Sequence, residues 1–276
     1  MRQIILTVKK TLNVPVECLE ISPNSFAGKS LDQIRVMEIC EGNRRNRLED
    51  IFQVKEESGA ASDELTVRIV GDASRIRKIG YRMTEGSMAI EGNAGMYLGE
   101  EMSAGSITVS GNVGAWLGSK MKGGAIEVKG NAGDFVGSSY RGSTKGMKGG
   151  TIIVYGNAGT EVGCWMRNGT IRINGSSGMF PGMHMSNGTI YIEKDCAGRA
   201  GAQMTGGKVI VGGYVAAILP SFSIEEVREK VKVGEEKILG PFYVFTGDPN
   251  ENGNGKLFIN AAKNPHLKWC EEYLES

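Results

Sequence analysis

Five times between Gly92 and Gly182 the chain carries the phrase Gly-x-x-Gly-x-x-x-Gly. The copies fall at Gly92, Gly95 and Gly99; at Gly111, Gly114 and Gly118; at Gly130, Gly133 and Gly137; at Gly156, Gly159 and Gly163; and at Gly175, Gly178 and Gly182. The second glycine recurs after 19, 19, 26 and 19 residues. A repeat of fixed period constrains architecture more than any local propensity. Glycine serves where a side chain would clash or where φ is positive, so these glycines mark one structural corner made five times over.

The rest of each unit repeats too. Met-x-x-Gly occurs at Met83, Met102, Met121, Met147, Met166, Met185 and Met204, and each copy is followed by a short apolar, β-branched segment. Alternation of this kind predicts a strand with one buried face. Two inward ladders follow, one through Met88, Ile107, Ile126, Ile152, Ile171, Ile190 and Val209, the other through Ile90, Val109, Val128, Val154, Ile173, Ile192 and Val211. Leu98, Leu117, Val136 and Val162 begin a third wall, and the methionines fill a fourth position as adaptable core.

A unit of about 19 residues is too short for a strand and an ordinary helix. It suits three short strands and three bends, which is one coil of a parallel β-helix. The fold class read from the sequence is therefore all-β: a right-handed parallel β-helix of about seven coils, capped by small flanking α/β segments. With strands roughly 4.8 Å apart the rod is about 30 Å long. The expected organisation is an N-terminal cap over 1–70, coils over 71–213 and a C-terminal cap over 214–276. In the last part, Ser223-Ile-Glu-Glu226 predicts a capped helix running to about Val231, and Asn264-Pro265 predicts a final helix. Both flanks would cover sheet edges that otherwise invite pairing.

Composition narrows the function. With 32 basic and 31 acidic residues, the formal net charge of +1 makes no broad electrostatic case for nucleic acid. No apolar run is long enough for a membrane-spanning helix. The opening Met1-Arg-Gln-Ile-Ile-Leu-Thr-Val8 reads as a strand, which makes a cytoplasmic location the default expectation.

Candidate chemistry is sparse. Cys18, Cys40, Cys164, Cys196 and Cys270 are widely spaced and lack metal-ligand spacing. Cys196 reads as a member of the corner column Asp72, Asn93, Asn112, Asn131, Asn157 and Ser176. Those asparagines suit tight corners and could bond one another as an amide ladder. His184 and His266 are far apart in sequence. Glu91, Glu127, Glu161 and Glu193 occupy different coil positions, so no acid–base pair is expected among them. The glycine phrase is no dinucleotide fingerprint, and Gly201–Lys208 departs from a phosphate-binding loop in spacing and in having Val209 where Ser or Thr is required. No catalytic, cofactor-binding or metal-binding residue is therefore predicted on this chain.

One coil breaks the period. Between Gly137 and Met147 lie nine residues where the other coils have two. Insertions in repeat proteins map to loops, often on the binding face. This one carries Tyr140, Arg141 and Lys145, and its expected role is contact with a partner protein, anchored by Tyr140 and Arg141. On that reading, deleting Ser139–Lys145 would leave the melting temperature unchanged and abolish assembly.

The five intact glycine phrases resemble those of the C-terminal β-helix domain of glutamate synthase. The Met-x-x-Gly continuation and the tail after the last coil are more similar still to the C subunit of formylmethanofuran dehydrogenase. That resemblance implies a non-catalytic scaffold in a complex that reduces CO2 and condenses it with methanofuran. It implies that tungsten or molybdenum pterin, iron–sulfur clusters and zinc sit on partner subunits. Those partners would be the amidohydrolase-like and pterin-binding subunits. A glutamate synthase β-helix subunit, and the C subunit of a formyltransferase/hydrolase complex, are the alternatives it leaves open.

Overall fold

The computed structural model describes residues 2–58 and 65–274. They form an all-β structure around one large mixed sheet of 13 strands. Its middle is parallel. Strands Ser87–Glu91, Ser106–Val109, Ala125–Val128, Thr151–Val154, Thr170–Ile173, Thr189–Ile192 and Lys208–Val211 stand side by side in sequence order.

Register follows the predicted ladders. Met88 lies opposite Ile107, then Ile126, Ile152, Ile171, Ile190 and Val209 in turn. Every one of these side chains is at most 2% exposed, as are all seven repeat methionines. Leu98, Leu117, Val136 and Val162 are buried as the third wall. Backbone bonds from Gly118 N–H to Leu98 C=O and from Gly137 N–H to Leu117 C=O, both 2.8 Å, carry that wall from one coil to the next.

Each repeat gives one strand to the large sheet, and its other sides are less regular. The second side runs as isolated bridges, Ala73 to Ala94 to Val113 to Ala132, and becomes a short parallel strand pair only at Ser177–Met179 and Cys196–Gly198, while the third consists of turns. The expectation of three strands per coil is corrected accordingly.

The three glycines of each phrase answer to different neighbours. The first row is Gly92, Gly111, Gly130, Gly156 and Gly175. A Cβ there would run into the carbonyl of the glycine one coil back, as Gly130 would into Gly111 O at 2.6 Å. The second row is Gly95, Gly114, Gly133, Gly159 and Gly178. None of these has a positive φ, but a Cβ would strike the backbone of the coil before, standing 2.9 Å from the Met96 nitrogen at Gly114. The third row is Gly99, Gly118, Gly137, Gly163 and Gly182. Here φ lies between +59° and +74°, and a Cβ would also meet a ladder side chain, at Gly118 the Ile152 Cδ1 at 2.4 Å.

The flanks do more than cover the ends. Thr66–Val70 and Arg2–Val8 extend the parallel run at one end, and Gly255–Asn260 at the other. Val67 and Ile4 continue one ladder backwards, and Leu257 continues it forwards. Antiparallel strands close both edges: Phe52–Ser58 at one end, and the hairpin of Ser223–Val233 with Glu236–Gly247 at the other. One hydrophobic core passes without a break from Ile4 to Cys270, across both expected boundaries.

The segment Ser223–Val233 is a strand, not the predicted helix. Its Val231 and Val233 are buried at alternate positions and pack with Phe242, Val244, Tyr191, Ile210 and Phe258 in a second core. Cross-strand burial outweighs the local capping signal. The outward position of each coil strand explains where the hairpin lands. It is Thr108 and Glu127 in coils that face water, but Tyr191, Ile210 and Phe258 where the hairpin covers the sheet. The predicted final helix exists at Pro265–Tyr273, with 3₁₀ geometry. Among the described residues, no helix is long and apolar enough to cross a membrane.

Candidate functional site

The asparagine column bonds differently from an amide ladder. Asn93 Oδ1 accepts the backbone N–H of Asn112 at 2.9 Å, Asn112 Oδ1 that of Asn131 at 2.8 Å, and Asn131 Oδ1 that of Asn157 at 2.8 Å. Asn157 serves Ser176 at 2.8 Å, and Asp195 serves Tyr214 at 2.8 Å. Asp195, not Cys196, therefore occupies the column. Cys196 pairs with Ser177, one residue on, in the inward row of Ala94, Val113 and Ala132. A one-residue shift moves a side chain from the outer to the inner face of a corner, and the cysteine is accordingly buried.

The corner also builds a feature that the sequence analysis did not single out. The residue midway between the second and third glycines of each phrase has a left-handed backbone: Tyr97 (φ 63°), Trp116 (59°), Phe135 (67°), Glu161 (56°) and Phe180 (64°). Such conformations cost of order 1–3 kcal/mol in non-glycine residues. Three consecutive coils place an aromatic there. Tyr97 stacks on Trp116 with ring centroids 5.1 Å apart, and Trp116 on Phe135 at 4.5 Å. These separations match the rise between coils, and each stacked pair returns roughly 0.5–1.5 kcal/mol. The signal was present as Gly-x-aromatic-x-Gly in three successive phrases.

The inserted segment folds over this stack. Tyr140 is half-buried, its ring 5.5 Å from that of Tyr97, with the Lys120 ammonium 4.3 Å above it. Its hydroxyl faces the Glu100 carboxylate. Burial first, and the bond to Glu100 second, hold the Tyr140 pKa well above the ordinary phenol range. Arg141 lies 5.9 Å over Phe135 and is otherwise exposed, as is Lys145. Further along, Thr144 C=O accepts from Arg167 Nη2 at 3.1 Å, and Gly146 N–H bonds Trp165 C=O at 3.0 Å. Of the three predicted contact residues, Tyr140 is thus engaged largely with its own chain, while Arg141 and Lys145 present their charges outward.

Two polar atoms beneath the insertion are unserved. Glu100 is 3% exposed, and its Oε2 has no hydrogen-bond partner; the buried Trp116 Nε1 has none either. Buried groups of this kind are met by ordered water or by a group from outside the chain. Beside the insertion lies a pocket of about 300 Å³, lined by Thr144, Trp165, Arg167 and His184 among others. His184 stacks on Trp165 at 4.0 Å. His266 lies elsewhere, with its Nε2 3.0 Å from Val215 O, so the structure does not bring the two histidines together. Cys18, Cys164, Cys196 and Cys270 are buried and Cys40 is exposed. Burial pushes the Cys164 thiol up to about 12 and the Cys18 thiol higher, which opposes the thiolate form that a metal needs. Among the described residues, no three His, Cys, Asp or Glu side chains group as metal ligands.

No protein-family model matches the chain. Curated relatives do. The C subunit of the tungsten-containing formylmethanofuran dehydrogenase 2 of Methanothermobacter wolfeii is 42% identical over 99 residues, 36% of this chain and 37% of the relative. The C subunit of the molybdenum-containing formylmethanofuran dehydrogenase 1 of Methanosarcina barkeri is 39% identical over 98 residues, 36% of this chain and 33% of the relative. The matched segment thus spans little more than a third of these relatives. The structural likeness is longer. A chain of the formyltransferase/hydrolase complex FhcABCD from Methylorubrum extorquens, solved with methylofuran, superposes with a TM-score of 0.83 at 28% identity, covering 93% of this chain and 99% of that one. The resemblance to the C subunit of formylmethanofuran dehydrogenase is borne out: over about a third of its length this chain is homologous to C subunits of that enzyme.

Proposed function

We propose that the chain is a structural subunit of a formylmethanofuran dehydrogenase complex, an oxidoreductase that reduces CO2 and joins it to methanofuran. One observation carries the reading: nearly the whole chain superposes on nearly the whole of one chain of a multisubunit complex. The names of the curated relatives point to the dehydrogenase branch. Over 71–213 the strands are read as successive turns of a right-handed parallel β-helix. A rod of this kind offers long faces for partner subunits and, on this chain, no catalytic side chains of its own.

The pterin-bound tungsten or molybdenum, the iron–sulfur clusters and the zinc belong in this reading to the pterin-binding and amidohydrolase-like partners. The buried, high-pKa thiols and separated histidines of this chain support that division. The inserted segment is the docking element, with Arg141 and Lys145 reaching outward from a base fixed by Tyr140. The 28% identity to the formyltransferase/hydrolase chain supports a second reading, the equivalent subunit of such a complex.

The test is co-purification from the native source, with mass spectrometry of the partners and metal analysis of the assembly. Pterin-binding and iron–sulfur partners are expected. A formyltransferase without redox partners favours the second reading. Recovery of a flavoprotein and a glutaminase instead overturns both.

A further inference from the structure

Away from the insertion, the hairpin strand Ser223–Val233 stands off from the turns of the last coils. The solvent-open cleft between them has a volume of about 620 Å³, within the range of small-molecule sites. Five basic side chains line it: Lys208, Arg228, Lys230, Lys232 and Lys256. No acidic side chain does. The opposite wall offers neutral donors, the amides of Asn168 and Asn187 and the hydroxyls of Thr170 and Thr189.

Two of the five cations are neutralised from beside the cleft. Arg228 pairs with Glu226, and Lys256 with Glu225. Among the described residues, Lys208, Lys230 and Lys232 have no carboxylate in ion-pair contact. Lys208 is the informative one. In the preceding coils its register position is Thr151, Thr170 and Thr189; here it is lysine, directly opposite Lys256 on the next strand. Like charges so placed repel. The Lys208 ammonium is half-buried and donates to the Lys232 carbonyl. Burial, and then the neighbouring Lys232, lower its pKa.

Lysines on an edge strand also discourage edge-to-edge pairing, which would account for Lys230 and Lys232 alone. It does not account for Lys208, which sits on an interior strand and partly under cover. We propose that this cleft is a binding site for a small, multiply charged anion bearing carboxylate or phosphate groups. Bound there, the anion offsets the repulsion between Lys208 and Lys232 and takes further hydrogen bonds from the asparagine and threonine wall.

Calorimetric titration of the full chain with citrate and with pyrophosphate tests this, at ionic strength held constant with sodium chloride. Saturable binding at one anion per chain is expected for at least one probe. Preference for citrate assigns carboxylates and preference for pyrophosphate assigns phosphates. The double variant Lys208→Gln/Lys232→Gln should weaken binding at least tenfold, while Lys263→Gln, outside the cleft, should not. Because the double variant alters a half-buried position, the exposed Lys230→Gln is measured alongside, with a loss of at least threefold expected. No saturable binding of either probe, or equal binding by wild type and Lys230→Gln, overturns the proposal.

Discussion

Asn131 Oδ1 accepts the backbone N–H of Asn157 at 2.8 Å across 26 residues of sequence, the longest step in the corner column. The inserted segment adds its extra residues between these two asparagines, yet the bond has the same length as those across 19 residues. The insertion therefore leaves the stack at one corner and returns to it without disturbing the register.

Asn131→Ala removes that acceptor and leaves a corner amide unserved. A loss of about 1–2 kcal/mol is expected, read as a lower urea midpoint with an unchanged slope. Asn131→Asp keeps an acceptor in place and should lose less. Equal midpoints for wild type and Asn131→Ala would show that water replaces the bond.

Gly137 and Ile171 make a coupled pair. A Cβ at Gly137 would stand 2.5 Å from Ile171 Cδ1, and φ there is +67°. Gly137→Ala should destabilise through both contact and backbone strain. Ile171→Val alone should cost about 0.5–1.5 kcal/mol. Because valine lacks the offending methyl, the double variant should lose less than the sum of the two. Strict additivity by thermal denaturation would place the whole cost of Gly137→Ala in its backbone.

Val128 is fully buried between Val109 and Val154. Val128→Asp puts an unpaired carboxylate into the ladder and should cost several kcal/mol, enough to prevent recovery of folded protein at ordinary temperatures. A soluble variant with a normal melting curve would contradict the ladder.

The ladders were legible because their cause is periodic: Ile126 and Ile171 obey the same spacing as their neighbours in space. The corner glycines were legible for the same reason. Ser223–Val233 was not, because its strand character comes from Phe258 and Tyr191 beneath it, remote in sequence, while the capping residues that suggested a helix are adjacent. Cys196 was misplaced by one residue because Asp195-Cys196 carries two corner-like residues in succession, and only the bond from Tyr214 to Asp195 distinguishes them. The aromatic stack went unread because an aromatic flanked by glycines is ordinarily a surface residue. Its meaning depends on the left-handed backbone that aligns Tyr97, Trp116 and Phe135.

Alkaline pH should report on Tyr140. Its pKa is raised from an ordinary value of 10.0, chiefly by burial, and Tyr97 shifts in the same direction for the same first reason. Tyr243, also raised mainly by burial, reaches about 12. In each case the folded state holds its proton more tightly than the unfolded chain. The associated stability is complete below about pH 10 and declines as pH rises beyond it. Tyr140→Phe cannot ionise, so its midpoint should fall less steeply between pH 9 and 11 than that of wild type. At pH 7 the same variant should be less stable, since the Glu100 carboxylate loses the hydroxyl that it faces. Parallel pH profiles for the two proteins would remove Tyr140 from the account.

Arg141 and Lys145 separate docking from folding. Deletion of Ser139–Lys145 no longer does so. It takes away the buried Ser139 and the Tyr140 ring that covers Tyr97 and Glu100, so the melting temperature should fall whatever the loop binds. Arg141→Ala gives up only a contact 5.9 Å from Phe135, and Lys145 is exposed. Surface changes of this kind stay within about 0.5 kcal/mol. The double variant Arg141→Ala/Lys145→Ala should therefore melt like wild type. If the insertion reaches a partner subunit, the same variant should lose at least tenfold in affinity for that partner, since arginine is enriched among interface anchors. Charge reversal at both positions should abolish recovery of the complex while leaving the isolated chain folded. Full assembly of the charge-reversed protein at unchanged melting temperature would leave the insertion as a cover for its own aromatic stack, and docking would have to be sought on another face.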